Sequence, residues 1–399
     1  MAHIPSRKRS LKDVEDPSPD QFERNSKSGK RKWQPSDRGR NPAHMEHFIS
    51  KIWAVGLTDD GCFPTLVRLE SVSCETFECK KRERPKVLVH DHPSRDVNKT
   101  SPSSTKSPWL FIAEKIQQDL HTSFQDVMNE MGSQKFGEVK PSFVARIGKV
   151  YFHGSPSISL DTIWKSLVAE NSSQNKVKKT FCTNVPDVYV EAVERMLVPK
   201  TRFGNVSRKE HYNVKVLDKL GATISCKCSP TEDGGKLELH KVESITARHL
   251  IADILCLDKD FDLRLMLATR KTFGKLHDDV DRAVRELIKS AKIDPNAKGG
   301  LSWPPGKESF GDRFSVSAVW HTKFKVFKGP TMTVKLRDAD RFDFKSSTVQ
   351  VTKEVIVKMT EIARQLRDGG AESGAVDEML QETLKFLWDQ LLNHDCSSM

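Results

Sequence analysis

Phe314-Ser-Val-Ser-Ala-Val-Trp-His-Thr-Lys-Phe-Lys-Val-Phe327 and Met332-Thr-Val-Lys-Leu-Arg-Asp-Ala-Asp-Arg-Phe-Asp-Phe344 are the stretches whose reading decides the fold class. Apolar and polar side chains alternate along each of them, which is the period of a strand with one wet and one buried face. Gly329-Pro330 separates them, a turn signal that predicts antiparallel pairing of two long strands. The same period recurs upstream at Tyr212/Val214/Val216, Ala222/Ile224/Cys226 and Leu237/Leu239, the last after the turn Asp233-Gly234-Gly235, and reads as a three-stranded meander.

Shorter strand candidates lie at Lys51-Ile-Trp-Ala-Val-Gly-Leu57, Thr65-Leu-Val-Arg-Leu69, Lys86-Val-Leu-Val89, Phe143 to His153 and Asp262-Leu-Arg-Leu-Met-Leu267. Ser107-Pro108 supplies an N-cap and a first-turn proline ahead of Trp109, Ile112, Ile116, Leu120, Phe124, Val127 and Met131, the clearest helical spacing in the chain. Further helices are expected at 160–168, 188–197, 244–257, 276–291, 353–367 and 376–392. Hairpins dominate this order, so the class is α+β, with antiparallel sheets and packed helices, rather than a doubly wound sheet. The expected organisation is a disordered basic arm over 1–42, a small β segment over 43–92 and a flexible loop over 93–107. A main α+β domain then covers 108–346, and a C-terminal helical hairpin packed on it covers 347–399.

The 399 residues carry 65 Lys and Arg against 54 Asp and Glu, a formal charge of +11. Residues 1–42 hold 11 of the bases and 6 of the acids, so +5 of the excess sits in the arm and the remaining +6 is spread over the rest. The arm has almost no apolar residues, so it cannot offset the entropy of ordering its backbone. Its clusters Arg7-Lys8-Arg9 and Lys30-Arg31-Lys32 suit an acidic partner or nuclear import. No run approaches the apolar length of a membrane span, and no signal-peptide core opens the chain. An intracellular protein, nuclear or cytoplasmic and not secreted, is expected. The eight cysteines are scattered without a paired framework, which fits free thiols in a reducing compartment.

Met1-Ala2-His3-Ile4-Pro5-Ser6-Arg7-Lys8-Arg9, followed by the strand Trp53-Ala-Val-Gly-Leu57, resembles a family of uncharacterised land-plant proteins with a Met-Ala-Tyr-Ile-Pro-Pro-His-Lys-Arg leader. His3, Ser6 and Arg7 depart from that leader. The resemblance runs through most of the chain and implies a domain of unknown function. It brings no activity, cofactor or catalytic residue with it.

No chemical motif is visible. Gly299-Gly300 through Gly306-Lys307 lacks the spacing of a Walker loop. Cys74/Cys79 and Cys226/Cys228 lack the spacing and the further ligands of a zinc site, His90-Asp-His92 borders a loop, and His44/His47 have no HExxH. No metal or cofactor is expected. Glu191/Glu194 and Glu238/Glu243 are the candidates for the carboxylate pairs of a β-tunnel phosphohydrolase, but only Glu238 has a strand setting and no pair is spaced i,i+2.

The remaining signal is a set of bases alternating with apolar residues on strands: Lys323 and Lys325 opposite Phe324 and Val326, Lys335 and Arg337 opposite Val334 and Leu336, and likewise Lys215, Lys227 and Arg264. Such alternation solvates one face and guards edges. If the strands are neighbours it also makes a cationic face for phosphates, with Trp320 or Phe327 for stacking. The functional reading is therefore non-enzymatic binding of RNA or another polyanion through Arg7, Lys8, Arg9, Lys30, Arg31, Lys32, Lys323, Lys325, Lys335 and Arg337. One alternative is a scaffold that docks a protein partner through Trp388 and Leu391 of the hairpin. A second is a phosphate-handling enzyme of unrecognised type.

Overall fold

Long strands with alternating faces need partners on both edges, and in this chain they find them by closing a ring. A computed structural model describes residues 49–58, 60–74, 83–90, 107–133, 138–154, 158–168, 177–198, 203–218, 223–232, 234–244, 248–273, 278–311, 313–368 and 373–392. The basic arm and positions 93–106 of the expected loop lie outside the described residues. The strands are, in order, β1 Ile49–Val55, β2 Val67–Ser71, β3 Lys86–His90, β4 Glu138–His153, β5 Lys178–Cys182, β6 Asn205–Asp218, β7 Thr223–Pro230, β8 Leu237–Ser244, β9 Arg248–Cys256 and β10 Asp262–Phe273. The short β11 Lys292–Ile293, β12 Leu301–Ser302 and β13 Ser309–Phe310 precede the long β14 Phe314–Lys328, β15 Thr333–Asp343 and β16 Thr348–Lys358. The helices are α1 Pro108–Ser133, α2 Leu160–Val168, α3 Asp187–Leu197, α4 Asp278–Ser290, α5 Thr360–Asp368 and α6 Ser373–Phe386, the last continued by a π-helical turn, Leu387–Leu391.

The principal sheet runs β10-β8-β7-β6-β14-β15-β16-β4, and β4 pairs back onto β10, so these eight antiparallel strands close into a barrel. The Gly329-Pro330 turn joins β14 to β15 as expected, with eleven residue pairs from Ala318–Asp343 to Lys328–Thr333. On its other edge β10 pairs first with β9, which in turn takes β1 in parallel, before meeting β8. The early strands thus share the sheet: β2 and β3 attach to the far half of β4, beside β5.

Two expected helices are corrected. Residues 248–256 form β9 rather than a helix, and 353–358 belong to β16, so that the following helix starts at Thr360. Both segments are continuous apolar runs, Leu250-Ile-Ala-Asp-Ile-Leu and Val355-Ile-Val, whose periodicity does not distinguish a strand buried on both faces from a buried helix.

Helices cover the outside of the barrel. Ile112, Ile116, Leu120, Leu380, Leu384 and Ile362 pack on Ala145, Leu265, Leu336 and Val355, while Ala283, Val284, Leu287 and Ile288 of α4 pack on Val214, Cys226 and Val319. Burying these side chains, each worth roughly 1.5–3 kcal/mol, drives the closure and leaves the opposite faces of the same strands pointing inward.

Where β4 leaves the barrel, Gly148 lies against β5 so closely that a Cβ there would sit 2.0 Å from the Cys182 carbonyl oxygen. Next to it the buried Asp262 accepts hydrogen bonds from the backbone N–H groups of Val150 (2.8 Å) and Cys256 (3.2 Å). One carboxylate thereby ties β4 to the end of β9.

Candidate anion site inside the barrel

The β14–β15 register assigns each base to a wall. Lys335 lies opposite Val326, Arg337 opposite Phe324 and Arg341 opposite Trp320, whereas Lys323 faces Asp338 and Lys325 faces Leu336. Lys335 Nζ sits 4.9 Å from the Phe324 ring and Arg341 lies 5.5 Å from the Trp320 ring, all on the inner wall. Lys325 reaches Glu194 of α3 at 2.6 Å and Lys323 approaches Glu210 at 3.9 Å, both outside. The four strand bases singled out in the sequence are thus neighbours but occupy two faces. Trp320 is inside, and Phe327 packs in the outer core.

The inner wall concentrates its charge around one carboxylate. Glu354 of β16 accepts from Arg341 Nη2 at 2.8 Å and from Arg337 Nη2, and Arg146 Nη1 of β4 stands 3.6 Å away. None of these four side chains is more than 5% exposed. Three guanidiniums thus gather around one carboxylate in a low-dielectric interior, where like charges this close disfavour one another. Burial disfavours the Arg341 cation; Glu354 opposes that effect, and the neighbouring Arg337 adds to it. On β9, Arg248 pairs with inward-facing Ala268, and burial together with nearby Arg264 likewise disfavours its cation.

Across the barrel, Lys215 of β6 extends over the Trp320 ring at 4.3 Å, and Asn213, opposite Trp320, is buried with its Oδ1 lacking a hydrogen-bond partner. Ser225 pairs in register with Lys215, and Thr322 with His211, which meets the Phe324 ring edge-on at 4.8 Å. By alternation from these positions, Lys209, Lys227, Lys241, Lys140 and Lys358 also fall on the inner wall, all of them at least partly accessible. Partly accessible lysines thus share the inner wall with the buried guanidinium cluster.

The donor set does not fit a hard divalent cation. Such ions take several oxygen ligands, commonly paired carboxylates. The inward positions of β4 are Ser142, Val144 and Arg146, and those of β16 are Thr352, Glu354 and Ile356, which supplies one carboxylate enclosed by guanidiniums. Glu243 is inside but is held by Lys241, Asp253 shares the face of Arg264 and is held by it and by Lys179, Glu238 is exposed, and Glu194 is outside on α3. Among the described residues no group of three or more His, Cys, Asp or Glu side chains is gathered as a metal site. Cys226 and Cys228 are small buried members of the α4-side core.

Of the other residues singled out, Arg7, Lys8, Arg9, Lys30, Arg31, Lys32, His44, His47, Cys79 and His92 lie outside the described residues. Trp388 and Leu391 are buried in the main core and present no docking surface. Sequence reasoning missed Arg146, Arg341, Glu354 and Asn213. A signal for Glu354 was available, since Thr352-Lys-Glu-Val-Ile-Val places an acid on the inner side of a β-branched run. No described helix is long and apolar enough to cross a membrane.

No curated protein matches the chain. Among solved structures it is similar to the S. pombe Pct1 RNA triphosphatase in complex with the Spt5 CTD, at 9% identity and a TM-score of 0.45, covering 77% of this chain and 99% of that one. It is also similar to the Mimivirus capping enzyme triphosphatase, at 7% identity and a TM-score of 0.33, covering 69% of this chain and 98% of that one. A third similarity is to a putative adenylate cyclase from Bacillus halodurans, at 10% identity and a TM-score of 0.25, covering 54% of this chain and 91% of that one. At these identities and TM-scores the similarities assign nothing to this chain. Residues 36–391 match the family described as Domain of unknown function (DUF7903), and the chain belongs to that family.

Proposed function

We propose that the barrel binds a linear chain of phosphate groups in its interior. The observation that carries the reading is the buried cluster in which Arg146, Arg337 and Arg341 share the single carboxylate of Glu354. Guanidinium forks are suited to phosphate oxygens, and three of them gathered in one place favour a multiply charged anion over a neutral ligand. Lys335, Lys227 and Lys209, less buried on the same wall, extend the same chemistry beyond the cluster. The arm bases Arg7, Lys8, Arg9, Lys30, Arg31 and Lys32 belong to the proposal as a steering element that raises the encounter rate with an acidic ligand.

The ligand is a free polyphosphate, a nucleotide or the phosphorylated end of an RNA. Calorimetric titration with tripolyphosphate, ATP, and one RNA oligomer bearing either a 5′-triphosphate or a 5′-hydroxyl distinguishes them. The reading expects tripolyphosphate and the triphosphate-ended RNA to bind, with affinity falling steeply as salt rises. Equal binding of the two RNA ends would place recognition on an outer surface instead. Absence of binding to every phosphate chain would overturn the reading.

A further inference from the structure

We infer that the barrel takes its phosphate chain free of divalent metal, with Glu354 serving as an internal counter-charge that spaces the three guanidiniums. The inference rests on the phosphate-chain reading and adds the ionic form of the ligand. A divalent cation on a polyphosphate removes two of its negative charges and demands oxygen ligands of its own. The inner wall supplies the opposite chemistry: Glu354 has its oxygens turned to Arg146, Arg337 and Arg341, Glu243 is held by Lys241, and Asp253 is held by Arg264 and Lys179. The alternate inward positions at which carboxylates would pair around a metal are Ser142 and Val144 on β4 and Thr352 and Ile356 on β16.

Val144 and Ile356 do more than fail to ligate. With Ile251 and Met266 they form a small apolar cluster on the inner wall, adjoining the guanidiniums. An apolar surface at that point withholds the hydration that a magnesium ion keeps when it binds, since that ion gives up its waters reluctantly. Direct hydrogen bonds from guanidinium to phosphate need no such water. Asn213, buried and with Oδ1 unpartnered, is the polar group on the facing wall.

The test is titration calorimetry on the full chain with tripolyphosphate, once with EDTA and once with excess magnesium chloride at matched ionic strength. Orthophosphate, which binds magnesium weakly, is run in parallel under both conditions. The expected result is tripolyphosphate binding weakened roughly tenfold or more by magnesium, the fraction of metal-free ligand having fallen, with orthophosphate binding unchanged because the metal has no seat in the barrel. Magnesium strengthening the binding of either probe, or leaving tripolyphosphate binding unchanged, would overturn the inference while sparing the phosphate-chain reading. Absence of tripolyphosphate binding in both conditions would overturn the two together.

Discussion

Arg341 donates to Glu354 at 2.8 Å inside the barrel, across two adjacent strands, with neither side chain more than 5% exposed. The pair belongs to a larger unit, because Arg337 and Arg146 share the same carboxylate. The contacts that stabilise the cluster in the free protein are therefore the ones that the proposed anion would meet.

Replacing Glu354 by Gln removes the carboxylate that three buried guanidiniums share. The expected loss is about 3–5 kcal/mol of folding stability, the usual cost of removing one partner from a buried ion pair. Saturating tripolyphosphate should recover part of it, about 2.7 kcal/mol at a hundredfold excess over the Kd, because the ligand supplies the missing charge. Thermal unfolding of the E354Q variant with and without the ligand measures both; an unchanged Tm in the absence of ligand would contradict the account.

Asp253 sets the acid limb of stability. Burial alone would raise its pKa, but Arg264, at 2.6 Å, and Lys179 outweigh burial and hold the carboxyl down to about 2. A carboxyl depressed on folding contributes stability that is present above the unfolded pKa near 3.8 and is lost as pH falls through about 2. The contribution is about 2 kcal/mol. Urea unfolding at pH 6 and pH 2.5 should show Asp253→Asn flattening that acid dependence; an acid limb identical to wild type would contradict it.

Gly148 is required by contact rather than by turn geometry. A Cβ 2.0 Å from the Cys182 carbonyl oxygen cannot be accommodated without moving β5 away from β4. Gly148→Ala should cost about 3 kcal/mol, at the upper end for overpacking, measured by chemical denaturation. A loss below about 1 kcal/mol would show that the two strands separate easily.

Much of this fold was legible because strand alternation is a local property. The pairs 314–327 with 332–344, the meander of β6 to β8, and α1 from its Ser107-Pro108 start can be read from their own residues. Closure of the barrel could not be read, since β4 and β10 are more than a hundred residues apart and neither carries a mark of its partner. That gap also hid the site. Lys325 and Lys335 look equivalent in the sequence, each beside apolar neighbours, and only the register that sets Lys325 opposite Leu336 and Lys335 opposite Val326 sends them to different walls. Arg146 and Glu354 come from strands two hundred residues apart and acquire meaning only when both turn inward.

The difference between the two walls gives the most direct test. Tripolyphosphate is titrated into the full chain carrying Lys227→Glu with Lys335→Glu on the inner wall, and separately Lys323→Glu with Lys325→Glu on the outer. The account predicts that the inner pair weakens binding by about a hundredfold while the outer pair changes it by less than about threefold. Equal losses from both pairs, or a larger loss from the outer one, would contradict binding inside the barrel.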